Sequence, residues 1–248
     1  MILSTFTFAI PLSLLLVANA CARPVSLHDP NRHAAEREQT VFAAFGAGGY
    51  VLVCLYFIFG SAVTKLKLEQ KQAEGIAEAR SGRRGVGSVW GSGSAGVLCA
   101  IAALAGLPPG PAVWRLGFVA SFCSKLSDTT ASEVGKAYGK TTYMSTPPFT
   151  PVPRGTEGAV SLEGTAAGVA ASLMFAGVAL AMGQVDGRGA LVATFAAFVA
   201  TTLESWLGAS TQGNEGFEWL TNDIVNGVQI TIAAGIAVGL GSALGLGA

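Results

Sequence analysis

The chain has 248 residues and a formal net charge of zero; 51% of its residues are apolar and only 12% are charged. A soluble domain usually has about 25% charged residues, so the composition argues against a water-soluble protein and predicts a membrane protein. The zero net charge gives no reason to expect nucleic acid as a partner. The 33 glycines suit close helix packing in lipid, where small residues let backbones approach.

Seven apolar stretches approach the roughly 20 residues that a helix needs to cross a bilayer. They are Ile2 to Ala20, Val41 to Val63, Val86 to Gly106, Ala112 to Ser124, Ala159 to Met182, Gly189 to Leu207 and Ile224 to Leu246. The sequence therefore predicts an all-α bundle with about six to seven spanning helices. The fourth stretch is short, and the last two border polar residues, as expected where backbone lines a cavity inside the protein.

The first stretch has two interpretations. It ends in Ala18-Asn19-Ala20, as a cleavable signal peptide would, but it lacks the usual basic start. We expect either a retained helix or a targeting segment. Together with the polar linker that follows, this stretch forms an N-terminal segment of residues 1–38, and residues 39–248 are expected to form a membrane-embedded domain.

Ten of the fifteen basic residues lie in two segments, from Lys65 to Gly85 and from Lys125 to Arg154. If all seven stretches span, both segments lie on one side of the membrane. The positive-inside rule assigns that side to the cytoplasm or stroma. Arg83 and Arg84 are candidates for phosphate binding, because paired guanidinium groups match phosphate oxygens.

A first polar motif, SKLSDTTASEVGKAYG, follows the fourth stretch at Ser124 to Gly139. On a helix, Asp128 and Ser132 are four residues apart, as are Thr129 and Glu133, so these side chains would share one polar face. Carboxylates are the hard ligands that Mg²⁺ prefers while it also holds substrate phosphates. The alternative is a helix cap, which would explain one or two of these residues.

A second motif, PVPRGTEGAVSLEGT, alternates glycines with hydroxyl and carboxylate residues just before an apolar helix. Such a turn exposes backbone N–H groups, and a helix N-terminus favours an anion. An ordinary turn followed by an N-cap is the alternative. The candidate phosphate-binding residues of this motif are Arg154, Gly155, Thr156, Gly158 and Ser161.

A third motif runs from Glu204 to Asn226. Glu204 and Ser205 interrupt an apolar helix, and an ionisable residue at membrane depth usually marks function. Asn222, Asp223 and Asn226 then open the last helix with carboxylate and amide oxygens. As an alternative, Asn222 or Asp223 could simply cap that helix.

The predicted topology brings the three motifs to one membrane face. Carboxylates for Mg²⁺, a glycine-rich turn and basic residues are the parts used in phosphoryl transfer. We expect Asp128, Glu133 and Asp223 to form the metal and catalytic centre, with Glu204 as a further catalytic carboxylate. The other expected contacts to nucleotide or phosphate are Thr129, Lys136, Ser205, Asn222 and Asn226.

Several ordered motifs resemble the phytyl-phosphate kinase family of plants, algae and cyanobacteria. They are YFIFGSAVTKLK, GIAEARSGRRG, SDTTASEVGKAYG, VPRGTEGAVSLEGT, ESWLGASTQ and NDIVN, and the likeness covers most of the chain from about Gln39. The resemblance implies an integral membrane enzyme that transfers a phosphate from a nucleoside triphosphate, with CTP expected, to phytyl phosphate. The product, phytyl diphosphate, would serve tocopherol and phylloquinone synthesis. The resemblance also implies a plastid or cyanobacterial membrane as location, while the cofactor expected from the carboxylates of the motifs is Mg²⁺.

Two alternatives stay open. A lipid cytidylyltransferase, which is among the wider kin of that family, would release diphosphate rather than CDP. A carrier of isoprenoid phosphates would bind lipid without consuming nucleotide. A Ser–His mechanism has no support, because His28 and His33 are remote from the motifs.

Overall fold

The computed structural model describes residues 32–77, 86–211, 215–217 and 219–246, with side chains from residue 40 and, after the first gap, from residue 89. The first apolar stretch, Arg83 and Arg84 lie outside the described residues. In chain order the elements are α1 (Arg32–Thr64), α2 (Leu68–Ala73), α3 (Val86–Leu104), α4 (Pro111–Tyr138), β1 (Thr142–Met144), β2 (Ala159–Ser161), α5 (Leu162–Ala181), α6 (Gly187–Thr211) and α7 (Asn222–Ala243).

Four helical segments in the described part of the chain are long and apolar enough to cross a membrane. They are Thr40–Thr64 of α1 and the whole of α5, α6 and α7. The predicted helical membrane bundle is confirmed, but six to seven spans are too many by this measure. The apolar part of α3, Val89–Leu104, is shorter, and the predicted span Ala112 to Ser124 belongs to α4, whose C-terminal half is charged.

The helix α1 passes through residues 38 and 39, where the sequence suggested a domain boundary. That boundary stays a prediction. The helix is kinked at Gly46, whose φ of 69° is not helical, and glycine adopts this conformation without the steric penalty that other residues incur. The kink therefore lies inside the apolar segment Thr40–Thr64, six residues after its start.

α4 is the central helix of the bundle and packs against α1, α3, α5, α6 and α7. Every residue from Leu116 to Ser127 is buried, as expected for a helix that other helices surround. Aromatic rings contribute to this core: the ring centroids of Phe118 and Phe45 lie 4.8 Å apart, and those of Phe122 and Tyr56 lie 5.2 Å apart. Because α4 continues past this core, its polar C-terminal half lies at one end of the bundle.

The α4 and α5 helices cross closely because glycines of α5 face the α4 backbone. A methyl group added to Gly168 would lie 2.8 Å from the carbonyl oxygen of Ser127, and one on Gly164 would meet the carbonyl oxygen of Ala131. Such small-residue contacts are typical of helix packing in membranes. The crossing fixes the start of α5 beside the polar residues of α4.

Two short strands, which the all-α prediction did not include, form a hairpin between α4 and α5. They are antiparallel, with Thr142 opposite Ser161. The hairpin is attached to the end of α6: Ser145 Oγ donates a hydrogen bond to the Ser205 carbonyl oxygen at 2.8 Å, and Gly158 packs against Ala209. The second motif therefore lies across the C-terminal end of α6.

Candidate active site

A cavity of about 1100 Å³ lies at the end of the bundle where α4 and α6 end and where α5 and α7 begin. Its walls come from these four helices, from the hairpin and from residues 75–77 after α2. All three polar motifs contribute to it, so the structure brings them together as the predicted topology required. The polar residues from the motifs that line it are Ser127, Asp128, Ser132, Lys136, Arg154, Thr156, Glu157, Ser161, Thr165, Glu204, Ser205, Asn222 and Asn226.

Two carboxyl groups meet at the floor of this cavity. Asp128 comes from α4 and Glu204 from α6, and their carboxyl groups line the cavity close enough to interact electrostatically. Asp128 Oδ2 also accepts a hydrogen bond of 2.5 Å from Lys125 Nζ, and the same Nζ donates to Asn226 Oδ1 at 2.9 Å. Three helices therefore supply two carboxyl groups, one amide and one buried cation to a single cluster.

Lys125 was expected in a basic segment that sets topology, but it is buried at 5% exposure inside the bundle. In the sequence, Lys125 directly follows the apolar stretch Ala112 to Ser124. This position suggested that Lys125 begins a loop outside the membrane. In the folded chain its charge is compensated by Asp128 and lies near Glu204. Without a cation, two ionised carboxylates at this separation would repel each other strongly.

The oxygen atoms of this cluster are of the type that binds a divalent cation, although Asp128 Oδ2 and Asn226 Oδ1 accept hydrogen bonds from Lys125 Nζ here. Mg²⁺ is usually held in proteins by one or two carboxylates together with oxygens of substrate phosphates. Asp128 and Glu204 supply two carboxyl groups, and the amide oxygens of Asn222 and Asn226 line the same cavity. The donor set thus has the hard oxygen chemistry that Mg²⁺ requires, although it differs from the set expected from the sequence.

The three carboxylates predicted as a metal centre are not assembled by the described residues, among which no three His, Cys, Asp or Glu residues are placed to hold one metal ion. Glu133 is buried and forms an ion pair with Lys71 of α2, because it lies on a different face of α4 from Asp128. Asp223 does not line the cavity. Thr129 does not line it either, and its hydroxyl bonds the carbonyl oxygen of Lys125.

Lys136 and Arg154 are the basic residues that line the described cavity. Arg154 forms an ion pair of 2.5 Å with Glu74, and its second guanidinium nitrogen donates to the Ala137 carbonyl oxygen at 3.5 Å. The ion pair is partly exposed, so it contributes little to the stability of the folded protein. Arg154 can therefore exchange Glu74 for a phosphate at small cost.

The glycine-rich turn lies at the rim of the cavity, and Gly155, Thr156 and Gly158 all line it. Thr156 Oγ1 donates to the Pro153 carbonyl oxygen at 2.7 Å. Ser161 also lines the cavity, but its hydroxyl accepts a hydrogen bond of 3.1 Å from the Gly164 N–H as the N-cap of α5. Ser161 therefore caps α5, as the alternative interpretation of this motif predicted.

Capping explains less in the other motifs. Ser127 and Asp128 lie within α4 rather than at its start. The N-cap of α7 is Thr221, whose hydroxyl accepts from the Ile224 N–H. Asn222 therefore has no capping role and lines the cavity instead.

Sequence reasoning missed a second buried polar group beneath the cluster. Gln229 of α7 is 1% exposed, and its Nε2 donates to Ser124 Oγ at 3.0 Å and to Thr201 Oγ1 at 3.2 Å. A glutamine inside an apolar helix carries the same signal as Glu204, because a polar side chain at membrane depth needs a partner. These bonds fix α4, α6 and α7 to one another just below the carboxyl groups.

Comparisons with known proteins agree with a membrane protein. The integral membrane protein family DUF92 matches residues 35–234. An uncharacterized membrane protein of Synechocystis sp. is 48% identical over 234 residues, which are 94% of this chain and 90% of that protein. Protein VTE6, chloroplastic, of Arabidopsis thaliana is 50% identical over 197 residues, which are 79% of this chain and 59% of that protein. No solved structure matches the chain.

The family resemblance inferred from the motifs is thereby confirmed, and so is the membrane location. The two relatives are a chloroplastic protein and a cyanobacterial membrane protein, in line with the predicted plastid or cyanobacterial membrane. The chain belongs to the DUF92 family of integral membrane proteins.

Proposed function

We propose that the protein is a membrane kinase that transfers a phosphate from a nucleoside triphosphate, expected to be CTP, to phytyl phosphate. The product is phytyl diphosphate for tocopherol and phylloquinone synthesis. The observation that supports this proposal is the convergence of Asp128, Glu204, Lys136 and Arg154 on one cavity that also has an apolar wall. The motif resemblance supports the same reaction, and the chloroplastic relative is in line with a plastid membrane.

The reaction needs no general base. A phosphate oxygen of the lipid is already ionised near neutral pH, since the second pKa of a phosphate monoester is about 6. This oxygen forms a bond to the γ-phosphorus of the nucleotide, the bond from that phosphorus to the bridging oxygen breaks, and the nucleoside diphosphate leaves. Positioning and charge neutralisation then account for most of the catalysis.

Each part of the cavity has a role in this proposal. Asp128 and Glu204, with Asn226, would hold Mg²⁺, which neutralises charge on the nucleotide phosphates when it is bound. Lys136 and Arg154 bind the phosphates of the two substrates. The backbone of Gly155 and Gly158 turns N–H groups toward a phosphate at the rim.

The test is incubation of the purified protein in detergent with phytyl monophosphate, Mg²⁺ and each nucleoside triphosphate in turn, with lipid products identified by mass spectrometry. Formation of phytyl diphosphate together with a nucleoside diphosphate is the expected result. Formation of a CDP-linked lipid with release of diphosphate would instead identify a cytidylyltransferase. Binding of the lipid without consumption of any nucleotide would favour a carrier of isoprenoid phosphates over an enzyme.

A further inference from the structure

The helix α6 does not close the cavity. The residues that line the cavity continue onto the face of α6 that points away from the core of the bundle. At about 100° per residue, Phe198 lies roughly 160° from both Ala196 and Ala200, which are completely buried in the core. Phe198 therefore points away from the bundle. It nevertheless lines the cavity, together with Thr202 one turn further along.

The open part of the wall is apolar and lies between two helices that are able to span the membrane. Phe198, Leu203 and Trp206 line the cavity while 43%, 44% and 52% of their surfaces are exposed. On the opposite side, Val169 of α5 completes the lining, and α5 and α6 are neighbours in the bundle. An opening between two such helices faces the acyl chains of the bilayer.

We infer that the isoprenoid tail of the substrate enters sideways between α5 and α6, and that most of the tail remains in the lipid. This inference rests on the proposed function and adds the mode of substrate recognition. Phe198 is six residues from Glu204, about 9 Å along the helix axis, whereas the hydrocarbon core is about 30 Å thick. The protein therefore contacts the phosphate end and the first part of the tail.

The consequence is weak selection by tail length. The substrate class is the monophosphates of isoprenoid alcohols long enough to pass Phe198, regardless of how far the tail continues. An enclosed tunnel would instead set a maximum length. Lateral entry also avoids transfer of a long apolar tail through water, which would be strongly unfavourable.

The experiment compares farnesyl, geranylgeranyl and phytyl monophosphates as acceptors for the full chain in nanodiscs. We expect kcat/KM values that agree within about threefold. A tenfold or larger difference between any two acceptors would overturn the inference. If no acceptor supports nucleotide consumption, the proposed function fails instead, and the inference is then decided by the binding measurement described below.

A matched pair of variants tests the wall itself. Phe198→Gln should raise KM about tenfold for all three acceptors and leave kcat unchanged, because it removes apolar contact with the tail. Phe195→Gln is the control, since Phe195 is similarly exposed on the same helix and does not line the cavity. Equal effects of the two substitutions would contradict lateral entry.

Tryptophan fluorescence tests the opening between α5 and α6 without requiring enzymatic turnover. In a variant with Trp90, Trp114 and Trp219 replaced by Phe, only Trp206 remains. Bilayers brominated near the headgroup end of the acyl chains should quench its fluorescence, and phytyl monophosphate should relieve the quenching. Unquenched Trp206, or quenching that phytyl monophosphate does not change, would show that the tail does not enter here.

Discussion

At the residue scale, the site depends on a few charged side chains that three helices hold in contact. Asp128 is central, because it contacts both Lys125 and Glu204. Lys125 and Asp128 are three residues apart on one face of α4, whereas Glu204 comes from α6, so the packing of the two helices is what brings Glu204 to this pair. Conservative substitutions can separate the role of these side chains in catalysis from their contribution to the stability of the fold.

Asp128→Asn should lower kcat by about 100-fold or more, the size of effect seen when one electrostatic contact to a transition state is lost. The substitution keeps the shape of the side chain but removes the carboxylate available to Mg²⁺. Turnover of phytyl phosphate with CTP in detergent is the measurement. The control is Asp223→Asn, because Asp223 lies outside the cavity; full activity of the Asp128 variant would remove this residue from the mechanism.

Lys125→Met should destabilise the metal-free protein by about 3 to 5 kcal/mol, since it leaves buried carboxyl groups without their cation. We expect added Mg²⁺ to restore part of this loss, because a divalent cation can supply the missing positive charge. Thermal unfolding in detergent with and without Mg²⁺ measures the effect.

The matched control is Lys71→Met, whose partner Glu133 does not line the cavity. Mg²⁺ should not rescue that variant. Equal stabilisation of the two variants by Mg²⁺ would argue against a cation site at Asp128 and Glu204.

At the scale of elements, α2 is attached to the end of α4 by charges. Lys71 Nζ bonds Glu133 and donates to the Thr64 carbonyl oxygen at 3.0 Å. Lys67 Nζ donates to the Ala137 carbonyl oxygen at 3.3 Å, where a cation interacts favourably with the helix dipole. These contacts hold residues 75–77 against the cavity.

Removing one member of the buried Lys71–Glu133 pair should destabilise the protein more than removing both. A single Lys71→Met or Glu133→Leu substitution leaves a buried charge unpaired, which costs about 3 to 5 kcal/mol. The Lys71→Met, Glu133→Leu double variant should recover most of the loss. Thermal unfolding of the four proteins gives the coupling, and additive losses would contradict a direct ion pair.

The hairpin is positioned by a glycine contact. Gly158 has φ of 72°, and a methyl group on it would lie 2.5 Å from Ala209 Cα of α6. Gly158→Ala should therefore displace the hairpin and reduce activity about 100-fold, as a misplacement of about 1 Å can do. Gly183→Ala is the control, because Gly183 has φ of 67° with nothing within 4 Å; similar activity losses would mean that backbone strain alone is responsible.

At the scale of the whole molecule, the fold determines at which end of the bundle the cavity lies. The hairpin and the N-terminus of α7 lie at the cavity end, while the turn between α3 and α4 lies at the other end. The positive-inside rule assigns the cavity end to the cytoplasm or stroma. Nucleotide, which is soluble, would then reach the cavity from that compartment.

Single cysteines in sealed membranes test this orientation after the native cysteines are replaced by alanine. A cysteine introduced by Thr156→Cys should react with an impermeant thiol reagent applied from the cytoplasmic or stromal side, and one introduced by Leu107→Cys should react only from the opposite side. Both positions are exposed. Labelling of both from one side would contradict the arrangement of the helices.

Much of the site was predictable because membrane insertion constrains a sequence strongly. An ionisable residue in an apolar helix, such as Glu204, must find a partner or a cavity, so its importance is visible without a structure. The alternation of spans likewise predicts which motifs share a face. Asp128, Glu204 and Asn226 were found in this way, and the structure places them in one cluster.

The sequence by itself determined that the protein is a helical membrane bundle and that three polar motifs lie at one of its ends, because hydropathy and alternating direction depend only on the order of residues. Only the tertiary structure decided which charges meet. Glu133 and Asp128 are five residues apart on α4, yet one pairs with Lys71 and the other with Lys125. Lys125 is one helical turn from Asp128 on α4 itself, but Lys71 reaches Glu133, and Glu204 reaches Asp128, only because α2 and α6 pack around α4. These contacts join residues distant in the chain, which the order of residues alone does not reveal.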